Sequence, residues 1–364
     1  MSGVLSGLRI LEFAAIGPVP WSGMILADLG AEIICIERPG SENARDTLGA
    51  VKRGRTQVQL DLKSDAGREA ALALIERADV LMEGLRPGVM ERLGLGPEVA
   101  LARNPRLIYG RMTGWGQNGP MALQAGHDIN YIALTGALHS IGTQERPIPP
   151  LNLIGDFGGG GAFLIIGVLS ALWHARQTGK GQVVDAAMVD GAAALMAMIY
   201  SRHQMGQWKD RRCSNALDGG VPWYDTYRTA DSRFVAVGAL EPQFYAELVE
   251  RLQLGDVLPD RADPDNWPEI RHQFADTFAT RTRDEWAAHF AGSDACVSPV
   301  LSLEEASNDP HLTSRQTFAT WQGKPVPGSA PVFNGSRQPL AQMSRLVSFE
   351  EAMISWNSSS ARAE

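Results

Sequence analysis

Two short segments hold the residues with the clearest chemical potential. Gly126-His127-Asp128-Ile129-Asn130-Tyr131 places a lone imidazole, and Gly155-Asp156-Phe157-Gly158-Gly159-Gly160-Gly161 places a carboxylate before four consecutive glycines. An imidazole with an ordinary pKa of about 6.5 gains and loses its proton near neutrality, and a carboxylate is a natural partner for it. Glycine lets a backbone approach a ligand closely and adopt φ > 0. Facing each other across a pocket, the two groups would transfer protons. Apart, they are an ordinary turn histidine and an ordinary helix cap.

Other chemistries find less support. Gly114-Trp115-Gly116-Gln117-Asn118-Gly119 matches G-x-G-x-x-G and follows a predicted strand, but Pro120 follows the third glycine and no helix opens there. A dinucleotide site needs that helix N-terminus, so the motif is read as a turn. The run Gly158 to Gly161 lacks the Gly-Lys-Ser/Thr of a phosphate loop. Its N–H groups could face an oxyanion, or its small size could serve tight helix packing, and the pattern favours neither. No HExxH, EF-hand loop or Cys/His cluster is present, so no metal is expected. Cations at Arg38, Lys52, Arg53, Arg55, Lys63, Arg86 and Arg92 follow or flank predicted strand ends. In an open α/β sheet that rim could hold a polyphosphate or simply be solvated.

These groups must be positioned by a scaffold of 364 residues, enough for two domains. With 33 Lys+Arg against 41 Asp+Glu, the net charge of −8 argues against a nucleic-acid binder. No signal peptide and no apolar run of membrane-spanning length is read. Cys35, Cys213 and Cys296 are widely spaced and suggest a reducing cytoplasm. Short apolar strands at about 8–13, 31–36, 58–62, 80–82, 107–111 and 182–185 alternate with helices, one beginning at Ser64 as N-cap. That alternation predicts an α/β fold with a parallel, doubly wound sheet. A long apolar helix is expected over 158–178 and a second, rich in methionine (Met188, Met196, Met198, Met205), to residue 205. The polar stretch 206–220 reads as a linker. A hairpin and three helices over 223–302 predict a smaller α+β domain, and the remainder is poor in regular structure.

Taken in order, many segments resemble one family. Among them are Leu5-Ser6-Gly7-Leu8-Arg9-Ile10-Leu11-Glu12, Arg38-Pro39-Gly40, Leu60-Asp61-Leu62-Lys63, Arg86-Pro87-Gly88-Val89-Met90, the His127 and Asp156 segments, and Glu241-Pro242-Gln243-Phe244-Tyr245. The chain is similar over about residues 4–310 to the α-methylacyl-CoA racemases of the family III CoA-transferase superfamily. That resemblance implies a Rossmann-like large domain at 1–185, completed by 325–364, that binds CoA. It further implies a helix and linker at 186–222, a small domain at 223–302, a return linker at 303–324, and an interlocked homodimer. The implied activity interconverts (R)- and (S)-2-methylacyl-CoA thioesters, with CoA as part of the substrate and no further cofactor. His127 and Asp156 are the implied two-face acid–base pair, with Glu241 orienting His127. Arg38, Leu60, Asp61, Leu62, Lys63, Gly84, Leu85, Arg86, Arg92, Gly126, Asp128, Ile129, Asn130 and Tyr131 would line the CoA path, and the methionine helix would face the acyl chain.

The runner-up is a CoA-transferase of the same superfamily in which Asp156 attacks a thioester and carries the acyl group. Such an enzyme has no need of His127 opposite the carboxylate, and the short Asp218-Gly219-Gly220 lacks the expected length of its glycine loop. From Leu346 onward the chain departs from the family's pattern.

Overall fold

The computed structural model describes residues 3–40 and 49–359. The outer bounds expected for the large domain, at 1–2 and 360–364, lie outside them. The chain divides into two compact units, one formed by 1–135, 150–196 and 309–364, the other by 136–149 and 197–308.

In the first unit six strands run β1 (Arg9–Phe13), β2 (Glu32–Glu37), β3 (Arg55–Gln59), β4 (Val80–Glu83), β5 (Ile108–Thr113) and β6 (Gln182–Ala187). They are parallel, in the order β3-β2-β1-β4-β5-β6, and a seventh strand, Arg345–Leu346, pairs in parallel with β3. Both sheet faces are covered, so consecutive apolar residues serve opposite cores. Leu11, Ile34 and Leu81 pack with the helix Asp65–Ile75, while Ile10, Ile33 and Val80 pack with Pro18–Asp28 and Phe163–Thr178. Ser64 caps its helix as expected, its hydroxyl accepting the Gly67 N–H at 3.0 Å.

The divergent C-terminus carries regular structure that the sequence reading missed. The helix Phe349–Ser359 places Ala352 and Trp356 in the core beside Ala71 and Leu74. Ser348 and Glu351 form a reciprocal cap, each side chain accepting the other's backbone N–H at 3.1 and 3.0 Å.

The expected helix over 158–178 begins earlier. Leu153–Ala162 is a wide π-helical stretch that leads directly into the α-helix Phe163–Thr178. Together they are long and apolar enough to cross a membrane by length and composition, contrary to the expectation of no such run. Glycines and scattered polar residues conceal this in the sequence. Leu164, Val168, Ala171 and Ala175 are buried, and Gly110 and Gly167 let the helix close on β5 and β6. It is a sheet-covering helix.

The second unit contains the hairpin β7 (Tyr224–Arg228) and β8 (Phe234–Gly238), with β9 (Val297–Pro299) beside β8. Three helices, Pro242–Arg251, Trp267–Phe278 and Arg283–Phe290, cover it with an aromatic core of Tyr227, Phe274, Phe278, Trp286 and Phe290. Two readings change here. The methionine helix breaks at Met196 into Met188–Leu195 and Ala197–Gln204, with Met188 buried and Met198 and Met205 exposed. The stretch read as a linker is folded around buried Asn215, whose amide donates to the Lys209 carbonyl and to Asp218 at 3.0 and 2.8 Å.

Candidate active site

Ligands of open parallel sheets bind beyond the carboxyl ends of the strands, where the strand order reverses. Here that point lies between β1 and β4. The two loops leaving these strands are pressed together. A Cβ on Gly84 would lie 3.0 Å from Val19 and 3.1 Å from Ala15. The β4 loop is also tied from below. Buried Glu83 accepts the Leu85 N–H at 2.7 Å and Arg111 at 3.1 Å, and Arg111 reaches Glu91 at 2.8 Å. Burial pushes the Glu83 carboxyl up, against the lowering effect of these partners.

Asp156 stands at this crevice. Gly17, with φ 71°, follows β1, and a Cβ there would lie 3.5 Å from the Asp156 carboxylate. The Asn152 amide, one helical turn earlier, donates to Asp156 Oδ2 at 3.1 Å. The Asp156 N–H donates to Asp128 Oδ2 at 2.7 Å. Burial raises the Asp156 carboxyl above the ordinary carboxylate range; the Asn152 hydrogen bond lowers it, the Asp128 charge raises it, and the His127 charge lowers it. The imidazole and the carboxyl are therefore within electrostatic reach of each other.

His127 begins the helix Asp128–Leu134 and is exposed, while Asp128 beside it is buried. Asn130 reaches back so that its Oδ1 accepts the His127 N–H at 3.0 Å. Tyr131 folds under the segment, its hydroxyl donating to the Gly126 carbonyl and its ring meeting Trp115 edge-on at 4.7 Å. A Cβ on Gly114 would overlap the Tyr131 ring, which accounts for the first glycine of the G-x-G-x-x-G match. Gly116 and Gly119 both have positive φ, and no helix opens there. The motif is a turn that seats the His127 segment.

The glycines after Asp156 serve packing. They lie inside the helix, not at its start, and the amide chain there is committed to the helix. A Cβ on Gly159 would lie 2.5 Å from the Ala192 backbone, and one on Gly161 would lie 2.5 Å from the Trp21 ring. Gly191 answers from the facing helix, where a Cβ would lie 1.9 Å from the Gly159 carbonyl. The oxyanion reading of these N–H groups is withdrawn.

The cation rim divides in two. Arg53 is buried and bidentate to Asp28, Arg55 is buried and bidentate to Glu12, and Lys52 pairs with Glu37 at 3.2 Å. These three hold the fold together and are withdrawn as polyphosphate contacts. Arg38, Lys63 and Arg86 are exposed on loops at or just beyond the carboxyl ends of β2, β3 and β4, and Arg92 is exposed at the end of the short helix Val89–Arg92 that follows the β4 loop. Asp61 shapes the β3 loop, accepting the Lys63 N–H at 3.1 Å. Leu60 is buried, and Leu62 and Leu85 pack against the core, so only their backbones face outward chemistry. Ile129 is exposed.

His127, Asp128, Tyr131, Asn152, Asp156 and Arg86 are thus brought together within the first unit. Glu241 lies in the second unit, at the N-cap of Pro242–Arg251, exposed and with no capping hydrogen bond from its side chain. Among the described residues no cluster of His, Cys, Asp and Glu could hold a metal ion. Sequence reasoning missed Asn152, whose i,i+4 spacing to Asp156 was the available signal, and it gave Asp128 to the CoA path, whereas the buried Asp128 carboxylate accepts the Asp156 N–H.

Residues 5–345 match the model of CoA-transferase family III. The chain is 47% identical over 338 residues to the α-methylacyl-CoA racemase of Mus musculus, covering 92% of this chain and 87% of that one. It is 46% identical over 331 residues to the α-methylacyl-CoA racemase of Homo sapiens, covering 90% and 86%. The crystal structure of a CaiB/BaiF family protein from Brucella suis superposes with a TM-score of 0.84 at 25% identity, covering 98% of this chain and all of that one.

Proposed function

The chain belongs to CoA-transferase family III, and from that premise we propose that it is a racemase that interconverts (R)- and (S)-2-methylacyl-CoA thioesters by proton transfer through an enolate. The observation that carries this reading is the hydrogen bond from the Asp156 N–H to Asp128, the neighbour of His127, which ties the carboxyl's segment to the imidazole's at the sheet's switch point, with the Asp156 carboxyl raised by burial. A carboxylate is a weak base at neutral pH unless burial raises it, and here burial acts in that direction. The naming of the mouse and human relatives supports the same activity.

In this reading one group removes the α-proton from one face of the thioester, the electron pair moves to the thioester oxygen, and the other group returns a proton to the opposite face. His127 is the base for one enantiomer and Asp156 for the other. The N–H of Asp128, in the first turn of its helix, is the oxyanion donor. No metal or redox cofactor is required, because every proton has a protein partner. The exposed Arg38, Lys63, Arg86 and Arg92 receive the CoA phosphates, and the backbones of Leu60, Asp61, Leu62, Gly84, Leu85 and Gly126 border the same path with Ile129, Asn130 and Tyr131. Glu241 orients His127, as a residue of a second copy or of the same chain. A homodimer is supported by the exposed apolar side chains of the long helix, Ile166 and Trp173. The described cysteines are all free, which suits the cytoplasm.

Incubation with one enantiomer of a 2-methylacyl-CoA in heavy water tests this. Racemisation with α-deuterium incorporation and no second CoA acceptor is expected. Transfer of CoA from the thioester to an added carboxylate, without α-exchange, would establish the transferase reading instead, with Asp156 as the transient acyl carrier.

A further inference from the structure

Asp128 is buried at 6% exposure between exposed His127 and Ile129. Its Oδ2 accepts the Asp156 N–H at 2.7 Å. Its Oδ1 is shielded from solvent, and no donor among the described residues reaches it. The approach is made possible by Gly155, where a Cβ would lie 2.6 Å from Oδ2. Buried carboxylates are normally satisfied by hydrogen bonds or a cation, so one with an unanswered oxygen marks a cost borne for function. A tie to one amide could equally be made by a neutral asparagine. The charge must therefore have its own use.

We infer that Asp128 is a positioning residue for the proton-transfer pair: its carboxylate pins the turn carrying Asp156 to the helix carrying His127 and holds a negative charge beside the Asp156 carboxyl. The inference deepens the racemase reading and rests on it. The Asp128 charge acts in the same direction as burial, making the Asp156 carboxyl hold its proton to higher pH, while the Asn152 amide and the His127 cation act the other way. From the same quarter Arg86 acts on the Tyr131 phenol against Asp156 and Asp128. Charges on the other packed elements are engaged elsewhere. Asp28 pairs with Arg53, Arg111 pairs with Glu83, Asp185 accepts the Gln117 N–H, and Asp190 is exposed.

The sign follows. Removing the Asp128 charge lets Asp156 ionise at lower pH. Its protonated form becomes scarcer near neutrality, and it becomes a weaker base when ionised. The test compares full-length wild type with Asp128→Asn, Asp128→Glu and Asp128→Ala, reading kcat, KM and α-deuterium exchange across pH. With the enantiomer for which Asp156 is the base, Asp128→Asn preserves the amide tie and is expected to move the acidic limb of kcat to lower pH with KM unchanged. Asp128→Glu keeps the charge and is expected to keep the limb. Asp128→Ala, which loses tie and charge, is expected to lower kcat by roughly 10- to 100-fold. A merely structural role would change melting temperature and leave the limb in place in all three variants. Wild type with exchange and an unmoved limb in Asp128→Asn overturns this inference alone. Wild type without exchange overturns the racemase reading first. Should Asp128→Asn fail to fold, the limb of Asp128→Ala decides the matter by the same criterion.

Discussion

The segments that carry the two proposed proton-transfer groups are held by opposite means. His127 starts a helix of seven residues whose order comes from side chains, with Asn130 capping it and Tyr131 bracing it against Trp115. Asp156 rides on ten π-helical residues whose order comes from missing side chains, since Gly159 and Gly191 bring two backbones into contact. The first arrangement loses one interaction per substitution. The second has little slack, because a methyl added at Gly159 or Gly191 must displace a main chain. The carboxyl that must be raised to serve as a base is thus on the rigid, partly buried element, and the imidazole is on the exposed one.

The sharpest way to break this comparison is to remove each group. His127→Ala and Asp156→Asn are each expected to lower kcat by roughly 10²- to 10⁴-fold. They should part company in stability. The folded-state pKa of Asp156 is raised, so its ionisation works against folding as pH rises through that value. Asp156→Asn should therefore melt no lower than wild type at neutral pH, and a marked fall in melting temperature would contradict the assignment. With the enantiomer for which Asp156 is the base, the wild-type acidic limb should accordingly lie above the usual carboxylate value of about 3.9.

Backbone contact is tested next. Gly191→Ala is expected to cost about 1–3 kcal/mol in denaturant unfolding and to lower kcat as well, because the displaced helix bears Asp156. Unchanged stability would show that the two helices separate freely. The smallest effect belongs to the other segment. Asn130→Ala removes one cap and should cost about 0.5–1 kcal/mol, and a larger loss would mean that the His127 segment is as unforgiving as its partner.

How much of this was readable beforehand depended on the range of the interactions. The strand–helix alternation, the Ser64 cap and the turn at Gly114 to Gly119 rest on neighbouring residues, and they were legible. The fates of Arg53 and Arg55 were not, because their carboxylate partners lie 25 and 43 residues away. A cation near a strand end looks the same whether it awaits a ligand or closes a core. The glycine run was ambiguous for a similar reason, since its role depends on Gly191 across the packing interface. Asp156 and His127 were legible as types and by family resemblance. The link between them through Asp128 needed coordinates, as the family resemblance gave Asp128 only a place on the CoA path and its contact with Asp156 spans 28 residues. The terminal helix was legible in part, since Ser348-Phe349-Glu350-Glu351 is a local cap signal that went unread.

The strand Arg345–Leu346, paired with β3, has a consequence for how the protein is made. Its partner β3 leaves the ribosome almost three hundred residues earlier. Between them comes the whole of 197–308, which has a core of its own. At about 5–20 residues per second, β3 waits many seconds with that edge unpaired and with the floor later supplied by Trp356 missing. The second unit, contiguous over most of its length, has the contacts to fold during that interval. The interval also sets when the nascent chain is most exposed to mispairing, since an open parallel edge is a template for any other strand. Chaperone dependence during synthesis would accordingly concentrate in the time before residues 345–359 emerge, and would be relieved once they do.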